Sequence, residues 1–139
     1  MSRNGEQGFT LIEILVVLLI LAVLAAIAIP LFANQRAKAE DADAKTAITV
    51  AAGAMEVYYQ DHNTFGGADA AELERIEPSL AEARGLDVTD ADDSGYTLSV
   101  DSASGTDGGG PFTIEHTVTT TARGCGGAGR GGCRDDGTW

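Results

Sequence analysis

The chain has 139 residues, 44% of them hydrophobic, and its 21 acidic against 9 basic side chains give a net charge of −12. That length holds one small domain beside a terminal segment, and such acidity lacks the basic footprint of direct nucleic-acid binding, which is therefore not expected. No catalytic constellation, cofactor motif or phosphate-binding glycine loop is present, and His62 and His116 fall in different predicted elements, so no enzyme is expected.

The N-terminal stretch dominates the pattern. From Ile14 to Ile29 sixteen consecutive residues are Ile, Leu, Val or Ala. With Phe9, Leu11 and Ile12 before and Leu31-Phe32-Ala33 after, the block reaches the ~20 residues that span a bilayer. A helix apolar on every side must be covered by lipid or protein. Glu13 breaks the pattern one turn from its start, and an acid inside a membrane segment costs about 2.5–3.5 kcal/mol even on lenient insertion scales. The only cation close to it in sequence is Arg3, so the carboxylate looks meant for a group on another molecule or for an amine made by cutting the chain. A plain signal anchor, or a signal peptide ending at Ala26-Ile27-Ala28, is the alternative.

Gly8-Phe9-Thr10-Leu11-Ile12-Glu13 followed by this block resembles the processing site of type IV pilins and the related pseudopilins of type II secretion. The resemblance is close over residues 1 to about 60 and one of layout beyond. It implies cleavage of a leader (residues 1–8) after Gly8 by a prepilin peptidase, and N-methylation of the new terminus, Phe9. It also implies an assembly salt bridge from Glu13 to the Phe9 amine of a neighbouring subunit, and a helix break at Pro30. Physics agrees with that pairing: two buried opposite charges offset part of each other's desolvation, whereas either alone costs several kcal/mol, about 3–5 when one partner is removed. Residues 9–33 become the membrane and filament-core helix and residues 34–139 the globular head. Orientation is contested, because Arg36, Lys38 and Lys45 after the block outnumber Arg3 before it. The positive-inside rule alone would put the head in the cytoplasm, while the resemblance and the two cysteines put it outside, and the reading follows them.

Beyond Pro30 the chain is alanine-rich and proline-free to Asp61, which favours continued helix. Ile48, Ala51, Ala52, Met55, Tyr58 and Tyr59 form an apolar face, with Lys45, Thr49, Gly53, Glu56 and Gln60 opposite. In the charged collar between the halves, Arg36–Glu40 and Asp41–Lys45 have the spacing of surface ion pairs. Residues 68–84 predict one or two short helical turns split at Pro78, with Leu73, Ile76 and Leu80 facing inward. Residues 96–100 and 112–121 predict two strands joined by a glycine-rich loop, the second carrying Phe112, Ile114 and Val118 on one face. The expected fold is therefore α+β, a long helix packed on a small antiparallel sheet.

Cys125 and Cys133 enclose seven residues, five of them glycine, and read as a disulfide in an exported chain, with free thiols or a metal site as alternatives. Trp139 is expected to pack on the sheet. Asp90, Asp92, Ser94 and Asp101, with Gly95 between, follow the layout of a calcium loop, although an acidic turn before a strand explains the same residues. The resemblance implies a homopolymer: a major pilin subunit of a surface pilus for adhesion, motility or colonisation. It is made by a prepilin peptidase and pilus assembly machinery, single-pass in the inner membrane as a precursor and extracellular once assembled. A pseudopilin, a minor pilin or a non-polymerising membrane-anchored domain are the alternatives.

Overall fold

The computed structural model describes residues 8–139. The leader expected over residues 1–8, with Arg3, therefore lies outside the described residues except for Gly8. The chain divides into two compact units that meet between Ala33 and Asn34. The first helix, α1, spans Leu11–His62 with Pro30 inside it. The break expected at Pro30 is thus no terminus of the helix. A proline there removes one backbone donor and crowds the carbonyl four residues back, and the helix continues through it.

In the first unit every described side chain is exposed. In the second unit, α1 buries one stripe: Ala37, Asp41, Ala44, Ile48, Ala51, Met55 and Tyr58. Their alternating spacings of four and three put all seven on one face of a 3.6-residue helix. Alanines at 44, 51 and 54 let the helix backbone approach its cover closely. The helix stops at His62 because Asn63 adopts φ 56°, a left-handed conformation that asparagine tolerates better than most residues.

A short helix, α2, spans Ala70–Ile76 and is capped by Asp69, whose side chain accepts from the Glu72 amide at 2.8 Å. Glu77 precedes a 3₁₀ turn at Pro78–Glu82, so the segment splits at Pro78 as its fixed φ predicts. Leu73 and Leu80 are fully buried and Ile76 half-buried, the inner face expected of them.

The sheet has four antiparallel strands in sequential order: β1 Asp87–Thr89, β2 Gly95–Val100, β3 Phe112–Thr117 and β4 Thr121–Cys125. Tyr96, Leu98 and Val100 alternate inward on β2 and meet His116, Ile114 and Phe112 across the ladder. This face and the α1 stripe form one core with Phe65, Leu73 and Leu80. Fully burying a side chain such as Leu98 or Phe112 contributes about 1.5–3 kcal/mol. The architecture is the expected α+β one, a long helix on a small antiparallel sheet.

Two strand expectations are corrected. The single strand expected over residues 112–121 is two strands with a tight reversal, closed by the Thr117 amide donating to the Thr120 carbonyl at 2.8 Å. Val118, expected on one face with Phe112 and Ile114, sits at the tip and is 81% exposed. A run of threonines has strand propensity throughout and carries no Gly, Pro, Asn or Asp to mark the turn. The short edge strand β1 carries no apolar alternation, so no local pattern marks it.

Candidate functional site

The processing and assembly residues lie at the head of α1. Gly8 and Phe9 are exposed, and nothing lies within 4 Å of the position a Gly8 side chain would take. Among the described residues, then, no contact of its own chain requires that glycine. Thr10 and Glu13 form a reciprocal pair: the Glu13 amide donates to the Thr10 hydroxyl at 3.3 Å, and the Thr10 amide donates to Glu13 Oε2 at 3.5 Å. This is a capping box, which satisfies two of the amides left without partners at a helix start. The Thr-x-x-Glu spacing announces it in the sequence. Among the described residues no cation lies within ion-pair distance of Glu13. Its carboxylate is held over the helix start by one neutral donor, the Thr10 amide, and is exposed and open to an incoming amine.

The second cluster is centred on Asp41, which the sequence placed in an exposed ion pair with Lys45. The structure corrects this. Asp41 is fully buried. Its Oδ1 accepts from the hydroxyls of Ser102 at 2.5 Å and Ser104 at 2.8 Å, and its Oδ2 from the amides of Gly109 at 2.8 Å and Gly132 at 2.7 Å. One carboxylate on α1 thereby fastens the β2–β3 connection and the C-terminal loop to the helix. Burial pushes the Asp41 carboxyl up, but the bonds from Gly132, Ser102, Gly109 and Ser104 together outweigh it and hold the group below its ordinary range.

Lys45, assigned to the polar stripe, is half-buried instead; its ammonium donates to the Gly132 carbonyl and lies 5.3 Å from the Phe112 ring centre. Glycine is needed here: a Cβ on Gly131, at φ +50°, would collide with Asp41 Oδ2. Arg36 and Glu40 do pair as expected, at 2.9 Å on the exposed face.

The C-terminal segment is closed by a disulfide between Cys125 and Cys133. Trp139 packs on the sheet: its indole N–H donates to the Thr113 carbonyl at 3.3 Å and its ring meets Phe112 edge-on, with Arg123 stacked at 4.9 Å. His116 stacks on Tyr96 at 5.0 Å and its Nδ1 lies 3.0 Å from the Thr121 hydroxyl. Burial, with a contribution from Glu56, pushes the Tyr96 hydroxyl up to about 12.

The calcium-loop arrangement is not what the acidic stretch builds. Asp92 Oδ1 accepts from the Ser94 amide and hydroxyl and from the Gly95 amide, which makes a self-satisfied turn before β2. Asp101 stands beyond the far end of that strand, roughly 20 Å from Ser94 at ~3.3 Å per residue. The strand that follows Gly95, where an ion loop would curl back, carries the twelfth position away.

Two families match the chain. One described as "Prokaryotic N-terminal methylation motif" covers residues 3–29, and one described as "Type IV minor pilin ComP, DNA uptake sequence receptor" covers residues 30–133. The type II secretion system core protein G of Aeromonas hydrophila is 32% identical over 65 residues, 47% of this chain and 46% of that protein. Fimbrial protein EcpC of Eikenella corrodens is 34% identical over 71 residues, 51% of this chain and 46% of the relative. The type IV wide pilus major component PilA4 of Thermus thermophilus is 39% identical over 69 residues, 50% of this chain and 52% of the relative. The chain thus spans about half the length of the curated relatives it matches. No solved structure gives a significant match. An N-terminal methylation motif, an apolar helix headed by one acid, and a helix-on-sheet head whose family match runs to Cys133 together make this chain a member of the type IV pilin family.

Proposed function

We propose that this chain is a structural subunit that polymerises through its N-terminal helix into a type IV pilus on the cell surface. A prepilin peptidase cuts between Gly8 and Phe9, and the Phe9 amine is methylated. The apolar helix of residues 9–33 holds the precursor in the cytoplasmic membrane until the assembly machinery moves it into the filament. There Glu13 meets the Phe9 amine of a neighbour. The observation that carries this reading is the first unit itself, an apolar helix start with no side chain covered and one carboxylate held open at its head. Lipid covers such a surface before assembly and neighbouring helices afterwards, and only in the second setting does the acid find a fixed cation.

A second reading is a minor subunit that receives DNA, favoured by the description of the family matched over residues 30–133. Against it stands the net charge of −12, since nucleic-acid affinity comes chiefly from cations that displace counterions. The relatives named for type II secretion support a pseudopilin in the same way.

Intact mass and N-terminal sequencing of material sheared from cells test these readings. A dominant species beginning at N-methylated Phe9 is the expected result. A scarce species with the same terminus points to the minor subunit or pseudopilin. A chain that retains its leader and stays with the membrane overturns polymerisation.

A further inference from the structure

Cys125 and Cys133, eight positions apart, bound one loop, and the head closes that loop twice: through the disulfide and through a single oxygen of Asp41. At the Cys125 end, β4 is paired to β3, and the Gly126 and Gly127 amides donate to the carbonyls of Pro111 and Gly109 at 2.9 and 3.0 Å. The Gly109 amide in turn donates to Asp41 Oδ2 at 2.8 Å. At the Cys133 end, the Gly132 amide donates to the same oxygen at 2.7 Å, and Lys45 Nζ donates to the Gly132 carbonyl. The Cys133 amide donates to the Arg130 carbonyl at 2.8 Å, which folds the last turn of the loop. The two walls are in contact, because a side chain on Gly109 would collide with Cys133 Cβ. Asp41 Oδ2 is therefore a non-covalent closure of the same ring that the two sulfurs close.

That closure has the means to act alone. Asp41 is fully buried, so water does not compete for its oxygens, and hydrogen bonds to a carboxylate are roughly twice as strong as neutral ones. Five of the seven enclosed residues are glycine, and a loop of that composition held by nothing else spreads over many conformations. The resistance of a disulfide to reduction follows the effective concentration at which the fold presents one thiol to the other. Contacts that hold the loop shut raise that concentration, although they lie outside the bond.

We propose that Asp41 is a positioning residue for the Cys125–Cys133 bond: its clamp closes the C-terminal loop in the dithiol chain, and the disulfide forms afterwards in a folded head. The step is exchange with a small disulfide oxidant such as oxidised glutathione. One cysteine thiolate attacks a sulfur of the oxidant and releases one glutathione thiol, and the other thiolate attacks the mixed disulfide and releases the second. The two cysteines give up two electrons and two protons, and the oxidant departs as two thiols. Asp41 takes no part in the exchange and acts only through Gly109 and Gly132. All of these groups lie in the head, so the inference stands apart from the filament reading.

The test uses the full chain in detergent. Amide hydrogen exchange is compared between the oxidised chain and the same chain held reduced by dithiothreitol. Protection of the Gly109 and Gly132 amides is expected to fall by less than about tenfold on reduction. A larger loss, confined to the loop or spread into β2, overturns the proposal, because the disulfide would then be what closes the loop. The chain is next equilibrated with reduced and oxidised glutathione. Asp41→Ala should lower the equilibrium constant for disulfide formation by about tenfold or more, and should leave it unchanged in denaturant, where no clamp exists. Leu98→Ala weakens the core without touching the loop, and should leave the constant within about twofold of wild type. An Asp41→Ala constant lowered by less than that tenfold overturns the proposal, as does a Leu98→Ala constant lowered as far as that of Asp41→Ala. Should circular dichroism find Asp41→Ala unfolded, Lys45→Met carries this arm, since it removes only the bond to the Gly132 carbonyl. A constant lowered by about threefold is then expected, and one equal to wild type overturns the proposal.

Discussion

The two units of this chain solve opposite problems. The head closes on itself: the α1 stripe, the inner face of the sheet and the α2 segment bury one another, and among the described residues no buried side-chain polar atom lacks a partner. The first unit closes on nothing. Its apolar side chains are all exposed, and its one carboxylate accepts a single neutral bond, from the Thr10 amide at the helix start. One unit is stable through contacts it contains. The other exposes an apolar surface on every side, which lipid or protein must cover. Substitutions in the head should therefore read out as stability, and substitutions in the first unit as assembly.

The sharpest break between the two is expected at Glu13. Glu13→Ala should abolish sheared filaments while leaving the melting temperature of the detergent-solubilised chain within error. Glu13→Gln separates charge from capping, because glutamine can complete the box with Thr10 but cannot pair with an amine. Filaments lost in both variants locate the requirement in the charge. Filaments kept by Glu13→Gln locate it in the cap.

Asp41→Ala should act the other way, in the head. It strands the Ser102 and Ser104 hydroxyls and the Gly109 and Gly132 amides, and should destabilise the head by about 2–4 kcal/mol. Calorimetry or thermal circular dichroism reads the shift. Opening the disulfide comes next. A loop of nine residues including both cysteines corresponds to about 2.5 kcal/mol in the chain-entropy account, read by comparing melting with and without reductant. A head unaffected by both changes would mean that the C-terminal loop is not part of its cooperative unit.

Acidification probes the same clamp. The folded carboxyl of Asp41 lies below its unfolded value of 3.8, so the unfolded chain binds more protons near that pH and stability rises with pH there. The contribution is complete above the unfolded value and disappears as pH falls through the folded one. The Asp41→Ala variant should show a shallower loss of melting temperature below about pH 4 than wild type. Smallest of all should be Arg36→Ala, which removes an exposed pair with Glu40 worth ~0.2–0.5 kcal/mol. A larger loss of melting temperature would show that the collar contributes to the head's own fold.

Much of this was legible in the residues. The apolar block and its lone acid announce a helix that needs company, and the alternation at Tyr96, Leu98 and Val100 announces the central strand. Leu73 and Leu80 are readable from helical spacing around Pro78. Asp41 was half legible. Extending the stripe of Ile48, Ala51, Met55 and Tyr58 back along the helix lands on Ala44, then Asp41, then Ala37. Spacing therefore put Asp41 on the buried face, while its charge argued for the surface. What decides between them is a set of donors 61 to 91 residues away, and no local pattern reports those.

The sequence by itself determined which segments must be covered, because hydrophobic periodicity and unpaired charge are properties of neighbours along the chain. It determined the apolar helix, the amphipathic continuation, the short helical turns and the central strand. Only the tertiary structure decided where the threonine run turns, that Asp41 rather than an ion pair organises the collar, and that Asp92 closes the turn before β2 on Ser94 and Gly95. Each of those depends on hydrogen bonds whose partners are brought together by the fold, and a lone donor or acceptor looks the same in sequence whether or not its partner arrives.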